Sequence, residues 1–313
     1  SGEQGSAIAL AVEHAPERRR GFFASFTLSG TTAGYLLGTA VWLPISTLPE
    51  DQLVSWGWRI PFLASLIVTI AGVILRRVLP ESPSFQQSAD ANERITPLRT
   101  LLREHPLDLL RVACGAVATT TSVIFIVYTL SYAVTDVGLD PTTMLWVPIV
   151  SGFVLLSFMP VWGALSDRIG RKRVYIFGAL ISSSLMFAYL ASLGTGNYLL
   201  IFVVGILLFG LGFGAYDGVY PSLYAEMFPR QVRVSGIALG TQIGNIVGGM
   251  SPLIAVAIYG MGGLGWIPVA IMVVIASLIA VVAISTVRET SRDSLEQIDA
   301  RKGPSRRETA AGA

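Results

Sequence analysis

A single cysteine, Cys114, and two histidines, His14 and His105, stand in the 313 residues. One thiol closes no intrachain disulfide, and neither histidine has ligand spacing to a second donor, so disulfide scaffolds and cysteine or histidine metal sites are excluded. No cofactor and no metal is expected. Charge is scarce as well: 13% of residues are Asp, Glu, Lys or Arg, about half the share of a soluble domain. The 22 basic and 20 acidic side chains leave a net +2, far short of the basic surface that grips phosphate backbones, so nucleic acid is no expected partner. Phosphate loops and nucleophile motifs are missing too, which argues against an enzyme. The chain opens on Ser1 rather than methionine and shows no charged-then-apolar signal segment, so it reads as a processed or partial product.

Apolar residues fill the space that charge leaves. They make up 52% of the chain, with a mean hydropathy of +0.63. A helix crossing the hydrocarbon core needs about 20 mainly apolar residues. Spans of that length are predicted near 21–43, 58–77, 109–134, 144–165, 174–194, 198–227, 234–259 and 264–287. Residues 1–15 read as the second half of another span. The fold class is therefore an all-α polytopic membrane protein with eight complete helices and the end of a ninth, and the bilayer is its first partner. Segments 16–20, 76–111, 167–173, 228–233 and 288–313 hold 21 of the 22 Lys and Arg. Alternate connections thus carry the positive charge, which places them in the cytoplasm. Residues 78–108 form a polar, proline-interrupted loop between a block at 1–77 and a block at 109–287. The tail 288–313 is charged without an apolar face and is expected to be a disordered cytoplasmic segment.

The two blocks echo each other. Glu13, Pro16 and Arg20 match Glu226, Pro229 and Arg233 at an offset of 213. Gly30, Thr31, Gly34 and Gly38 match Gly240, Thr241, Gly244 and Gly248, and the Gly-Trp pairs at 57–58 and 265–266 follow in order, with Glu81 against Glu289. Six helices separate each element from its partner, so both copies run in the same direction, a parallel repeat of six-helix halves.

Between the fourth and fifth complete helices stands GALSDRIGRKR, Gly163 to Arg173. Asp167 sets an anion among Arg168, Arg171, Lys172 and Arg173 at the membrane face. Such a cluster pairs in one conformation and separates in another, as a cytoplasmic latch would; it also serves as a plain positive-inside anchor. This string resembles the cytoplasmic loop signature of the major facilitator superfamily. With WGWRIPF at Trp56–Phe62, LPESPSF after it, AEMFPRQVRVSG later and SGEQGSA at the start, the chain is similar to the metabolite:H+ symporter branch, which includes proline/betaine, shikimate, α-ketoglutarate and citrate transporters. The resemblance implies twelve helices in two bundles, of which this chain supplies helices 4–12. It implies proton-coupled uptake of a small polar metabolite (an organic acid, amino acid or betaine) by alternating access, in a plasma-membrane protein that is monomeric when full length. Its partners are then the solute and protons. The alternative is a proton-coupled drug exporter of the same superfamily, although the proline of the exporters' fifth-helix motif has no counterpart between Phe22 and Leu43.

Carboxylates within the apolar spans are costly and point to function. Asp217 lies ten residues before Met227, about 15 Å deep at 1.5 Å per residue. The repeat maps Asp217 onto Gln4 and Tyr216 onto Glu3. Glu3 and Asp217 are thus the proton-coupling candidates, against the alternative of structural hydrogen bonding. Tyr128, Tyr132 and Tyr216, with Gln242 and Asn245, are the substrate-cavity candidates; helix packing and interhelical hydrogen bonds are the competing roles. The candidate gate comprises Asp167, Arg168, Gly170, Arg171 and Lys172 with Glu13, Arg20, Glu226 and Arg233. No Lys or Arg falls near the midplane, so an anionic substrate needs a cation from outside these helices, whereas a zwitterion or neutral solute needs none.

Overall fold

A computed structural model describes residues 2–78 and 97–302. Helices account for nearly all of them, and no strand occurs among the described residues. In chain order they are α1 (Gly2–His14), α2 (Arg20–Ser46), α3 (Arg59–Val78), α4 (Pro97–Glu104), α5 (Pro106–Thr135), α6 (Pro141–Ile169), α7 (Arg171–Leu193), α8 (Tyr198–Ala225), α9 (Arg233–Ile258), α10 (Ile267–Ser285) and α11 (Leu295–Lys302). Among the described residues seven helices are long and apolar enough to span a bilayer, one fewer than the eight expected. The difference is α2. It has the length, at 27 residues, but Ser29, Gly30, Thr31, Thr32, Gly34, Gly38 and Thr39 dilute its apolarity. The expected polar loop at 78–108 also holds structure: α4 forms within it, and α5 begins at Pro106. The LPESPSF string and Glu81 lie outside the described residues.

The chain divides into two compact units, Ser1–Gly30 with Thr96–Ala313, and Thr31–Ile95. The smaller holds the end of α2, a short helical stretch at Glu50–Gly57, and α3, whose Phe62, Leu63, Ile67 and Val68 are all exposed. At its start the Arg59 guanidinium lies 4.4 Å over the Trp58 ring, and Trp58 meets Phe62 edge-on.

In the larger unit, each helix begins and ends for local reasons. The Asp140 carboxylate caps α6 by accepting from the Thr143 amide at 2.7 Å, and Pro141 supplies a first residue that has no amide to satisfy. The same helix stops at Gly170, whose φ of +109° only glycine adopts without strain, so the next residue, Arg171, opens α7. Small residues set a close helix contact. A Cβ at Gly240, Gly244 or Gly248 would meet Val112, Ala116 or Thr119 at 2.6, 2.5 and 2.8 Å, so the glycine face of α9 lets α5 approach backbone to backbone. The core behind that seam is aromatic, with Tyr175, Tyr216, Tyr220 and Tyr224 packed in a column.

Candidate functional site

Two glycines bring the start of α2 against the end of α6. A Cβ on Gly21 would meet the Gly163 carbonyl at 2.6 Å, and one on Gly163 would meet the Gly21 carbonyl at 2.6 Å. This approach puts Asp167 under the first turn of α2, where backbone amides have no intrahelical partner. The carboxylate takes both, Gly21 N at 2.8 Å and Phe22 N at 3.0 Å, and adds a charge that the positive helix terminus favours. Arg171 stands four residues on and pairs with Asp167 at 3.3 Å. Arg168 does not join them. One residue along a helix turns the side chain about 100° away; it is exposed, with no ion pair among the described residues.

Repeat-related residues pair crosswise. Glu226, wholly buried, bonds Arg20 at 2.9 Å and Arg171 at 2.7 Å, while Arg233 bonds Glu13 at 2.8 Å. The glutamate of each copy therefore holds the arginine of the other. All three guanidiniums are 1% exposed or less. Burial pushes the Glu226 carboxyl up from the ordinary glutamate value, and Arg171 and then Arg20 pull it back. Thr290 donates a further hydrogen bond to it at 2.6 Å.

The segment after α10 completes the network, and here the expectation of a disordered tail fails for residues 288–302. Glu289 accepts from the Arg171 and Lys172 amides at 3.0 and 3.1 Å, capping α7 as Asp167 caps α2. A Cβ at Gly170 would strike Glu289 Oε2 at 2.7 Å, so that glycine is required twice over. Lys172 turns to the end of α10 and donates to the carbonyls of Ser285 and Val287. Arg20 donates to the Asp293 carbonyl, Asp299 bonds Arg233 at 3.0 Å, and Lys302 bonds Asp108 at 2.7 Å. Ser294 and Gln297 cap α11 reciprocally. Ile298 of the tail is buried and Leu295 packs against the core, while Asp299 and Lys302 find opposite charges on Arg233 and Asp108.

Deeper in the helices the other candidates separate. Asp217 is half-buried beside Tyr216 and Tyr220, and Gly218 next to it runs against the Met159 carbonyl of α6. Glu3 is exposed, and its neighbour Gln4 donates to the Tyr220 hydroxyl at 3.4 Å. Tyr128 and Tyr132 stack with ring centres 6.0 Å apart, and Tyr259 meets Tyr132 edge-on. The buried Tyr128 hydroxyl has no hydrogen-bond partner among the described residues. Tyr216 is buried in the tyrosine column, away from that pair. Gln242 and Asn245 are half-buried, and Asn245 accepts from Thr119 across the α5–α9 seam at 3.3 Å.

A family model described as Major Facilitator Superfamily matches residues 112–310, well over half the chain. The chain belongs to that superfamily. A second model of the same kind, described as Sugar (and other) transporter, matches residues 2–107. Among curated relatives, the Inner membrane metabolite transport protein YhjE of Escherichia coli K12 is 33% identical over 84% of this chain and 62% of its own length. The Shikimate transporter of the same organism is 32% identical over 93% of this chain and 68% of its own. These relatives are transporters, not enzymes, and the chain spans about two thirds of their length. Among solved structures, the proton:xylose symporter XylE bound to 6-bromo-6-deoxy-D-glucose shares the fold, with a TM-score of 0.72 at 20% identity over 96% of this chain and 70% of that one.

Within this superfamily member, sequence reasoning missed Gly21, Phe22, Glu289, Thr290, Asp293 and Asp299 as partners in the arginine network. Gly21 had a signal, since a glycine following Arg20 at a helix start matches the small residue Gly163. The Ser294-x-x-Gln297 spacing ahead of Ile298 marks a helix start for α11.

Proposed function

We propose that the protein is a secondary active transporter that takes up a small polar metabolite with protons by alternating access, working within a fold of two six-helix bundles. Residues 1–77 belong to one bundle and 109–287 to the other, joined by 78–108. One observation carries the reading: the crossed, buried pairs Arg20–Glu226 and Arg233–Glu13. A buried ion pair is weak glue but is costly to break by halves. A cluster of this kind favours two states, all pairs made or all exchanged for water, and a gate requires that behaviour. The glycine seam between α5 and α9 adds support. In the twelve-helix fold its repeat-related copy at Gly30, Gly34 and Gly38, where an added Cβ would meet nothing within 4 Å among the described residues, seats the helix equivalent to α5.

The arginine-rich face, with the C-terminal tail, lies on the cytoplasmic side of the plasma membrane in this reading, because positively charged connections stay inside. Asp217 or Glu3 carries the coupling proton; Tyr128, Tyr132, Tyr216, Gln242 and Asn245 line the solute path when the bundles rock apart. The full-length protein works as a monomer. The metabolite and shikimate transporters among its relatives support a small organic solute. Proteoliposomes containing full-length Asp217→Asn test the coupling step. The variant is expected to lose accumulation driven by a pH gradient while keeping solute exchange; accumulation at the wild-type rate would exclude Asp217.

A further inference from the structure

On the arginine-rich face two cavities share a wall. The first, of about 340 Å³, is lined by four cations, Arg111, Arg288, Arg301 and Lys302, and by two carboxylates, Asp108 and Glu226. Neither carboxylate is at liberty to balance a lining cation fully. Glu226 is held by Arg20 and Arg171, and Asp108 is divided between Arg111 at 3.0 Å and Lys302 at 2.7 Å. Arg288 is exposed, with no ion pair among the described residues. Arg301 is paired with Asp293 at 2.5 Å, so the cavity's excess of positive charge rests on Arg288 and on the Arg111–Asp108–Lys302 cluster.

The second cavity, of about 510 Å³, is a groove between α5 and α10 with a nearly all-apolar lining that includes Leu110, Cys114, Leu278 and Val282. Its side chains are open to the surroundings: Leu110 is 59% exposed and Val282 64%. Arg111 and Thr286 line both cavities, so the two meet at the C-terminal end of α10. From Thr286 to Ile275 the groove follows α10 for about 16 Å at 1.5 Å per residue. One leaflet of hydrocarbon is about 15 Å deep.

A basic cavity opening into an apolar groove of leaflet depth fits one chemistry. We propose that these cavities form a binding site for an anionic phospholipid of the leaflet on the arginine-rich side. Its headgroup phosphate lies among Arg111, Arg288 and Lys302, and one acyl chain follows the α5–α10 groove. A free phosphate would occupy the basic cavity and leave the groove to bulk lipid. A zwitterionic lipid would occupy the groove and bring no net charge to the arginines.

Cys114 lines the groove, so it reports the occupant directly. Full-length protein with Cys114 as its sole cysteine, labelled there with bimane, is placed in phosphatidylcholine vesicles carrying equal small fractions of dibrominated phosphatidylglycerol or dibrominated phosphatidylcholine. Brominated phosphatidylglycerol is expected to quench the label at a several-fold lower mole fraction. Arg288→Gln should shrink that preference about five-fold, the effect of one basic residue near a charged membrane surface. Since Arg288 is exposed and unpaired, this variant keeps its fold. Native mass spectrometry of the unlabelled protein should show a retained phosphatidylglycerol that Arg288→Gln and Arg111→Gln lose. Equal quenching by the two lipids, or a preference untouched by both substitutions, would overturn the site. Inorganic phosphate that abolished the preference at constant ionic strength would assign the basic cavity to a free anion and overturn it equally.

Discussion

Glu226→Gln is the most informative single change in the network. The glutamate is wholly buried and binds two guanidiniums that are themselves buried, Arg20 at 2.9 Å and Arg171 at 2.7 Å. Removing one partner of such a cluster typically costs about 3–5 kcal/mol, because a charge is left in the interior without compensation. Part of that loss is returned here. Asp167 still stands 3.3 Å from Arg171, the Asp293 carbonyl still accepts from Arg20, and glutamine still accepts from Thr290. The net cost to the closed face is then about 2–3 kcal/mol, which shifts its opening equilibrium roughly 30- to 150-fold. Ser25 provides the readout. It is buried beside Gly163 at the α2–α6 contact, and Ser25→Cys is nearly isosteric. In a Cys114→Ser background, maleimide labelling at Ser25→Cys should accelerate at least ten-fold when Glu226→Gln is added. An unchanged labelling rate with an unchanged Tm would refute the claim that these charges hold the face shut.

Two further outcomes follow from the helix ends. Gly170→Ala must adopt a φ of +109° and place its Cβ against Glu289, so it should destabilise the protein by about 1–3 kcal/mol; a thermal melt within error of wild type would contradict that geometry. Thr143 holds the Asp140 carboxyl below its ordinary value of 3.8, chiefly through its hydroxyl and then through its amide. A depressed carboxyl stabilises the fold above its unfolded value and loses that contribution as pH falls through the folded value. Asp140→Ala should therefore lower Tm at neutral pH, with the difference from wild type closing below pH 3.8; a pH-independent difference would show that charge plays no part in the cap.

The spans and the charged face were legible because both follow from rules that act along one chain. Long apolar runs mark the helices, and the arginine-rich connections supply the network that joins α2, α7 and α9. The repeat was legible as well, and the Glu13–Arg20 and Glu226–Arg233 motifs identified the residues that pair. Their crossing was not, because it depends on how two distant helix ends meet. Arg168 stands outside the ion-pair network for a related reason. Sequence adjacency to Asp167 suggests a contact that helix geometry denies, whereas Arg171, four residues on, lies on the same side. The tail was misread because its charges were weighed alone. Glu289 becomes structural only when the α7 amides stand across from it, the Asp293 carbonyl only when Arg20 of α2 does, and Asp299 and Lys302 only when Arg233 of α9 and Asp108 of α5 do. Helix α2 shows the limit of hydropathy: its small polar and glycine residues lower the apolar signal while leaving its length intact.

The proposed alternating-access cycle requires α1 and α9 to part at the arginine-rich face. A Cβ on Gly5 would lie 3.3 Å from the Ala238 Cβ, close to disulfide distance, so Gly5→Cys with Ala238→Cys joins these helices in a Cys114→Ser background. Uptake by the oxidised full-length protein in proteoliposomes, before and after reductant, is the most direct measurement. Oxidation should stop uptake and reductant should restore it; uptake at the reduced rate with the bond fully formed would mean that the two helices never separate during transport.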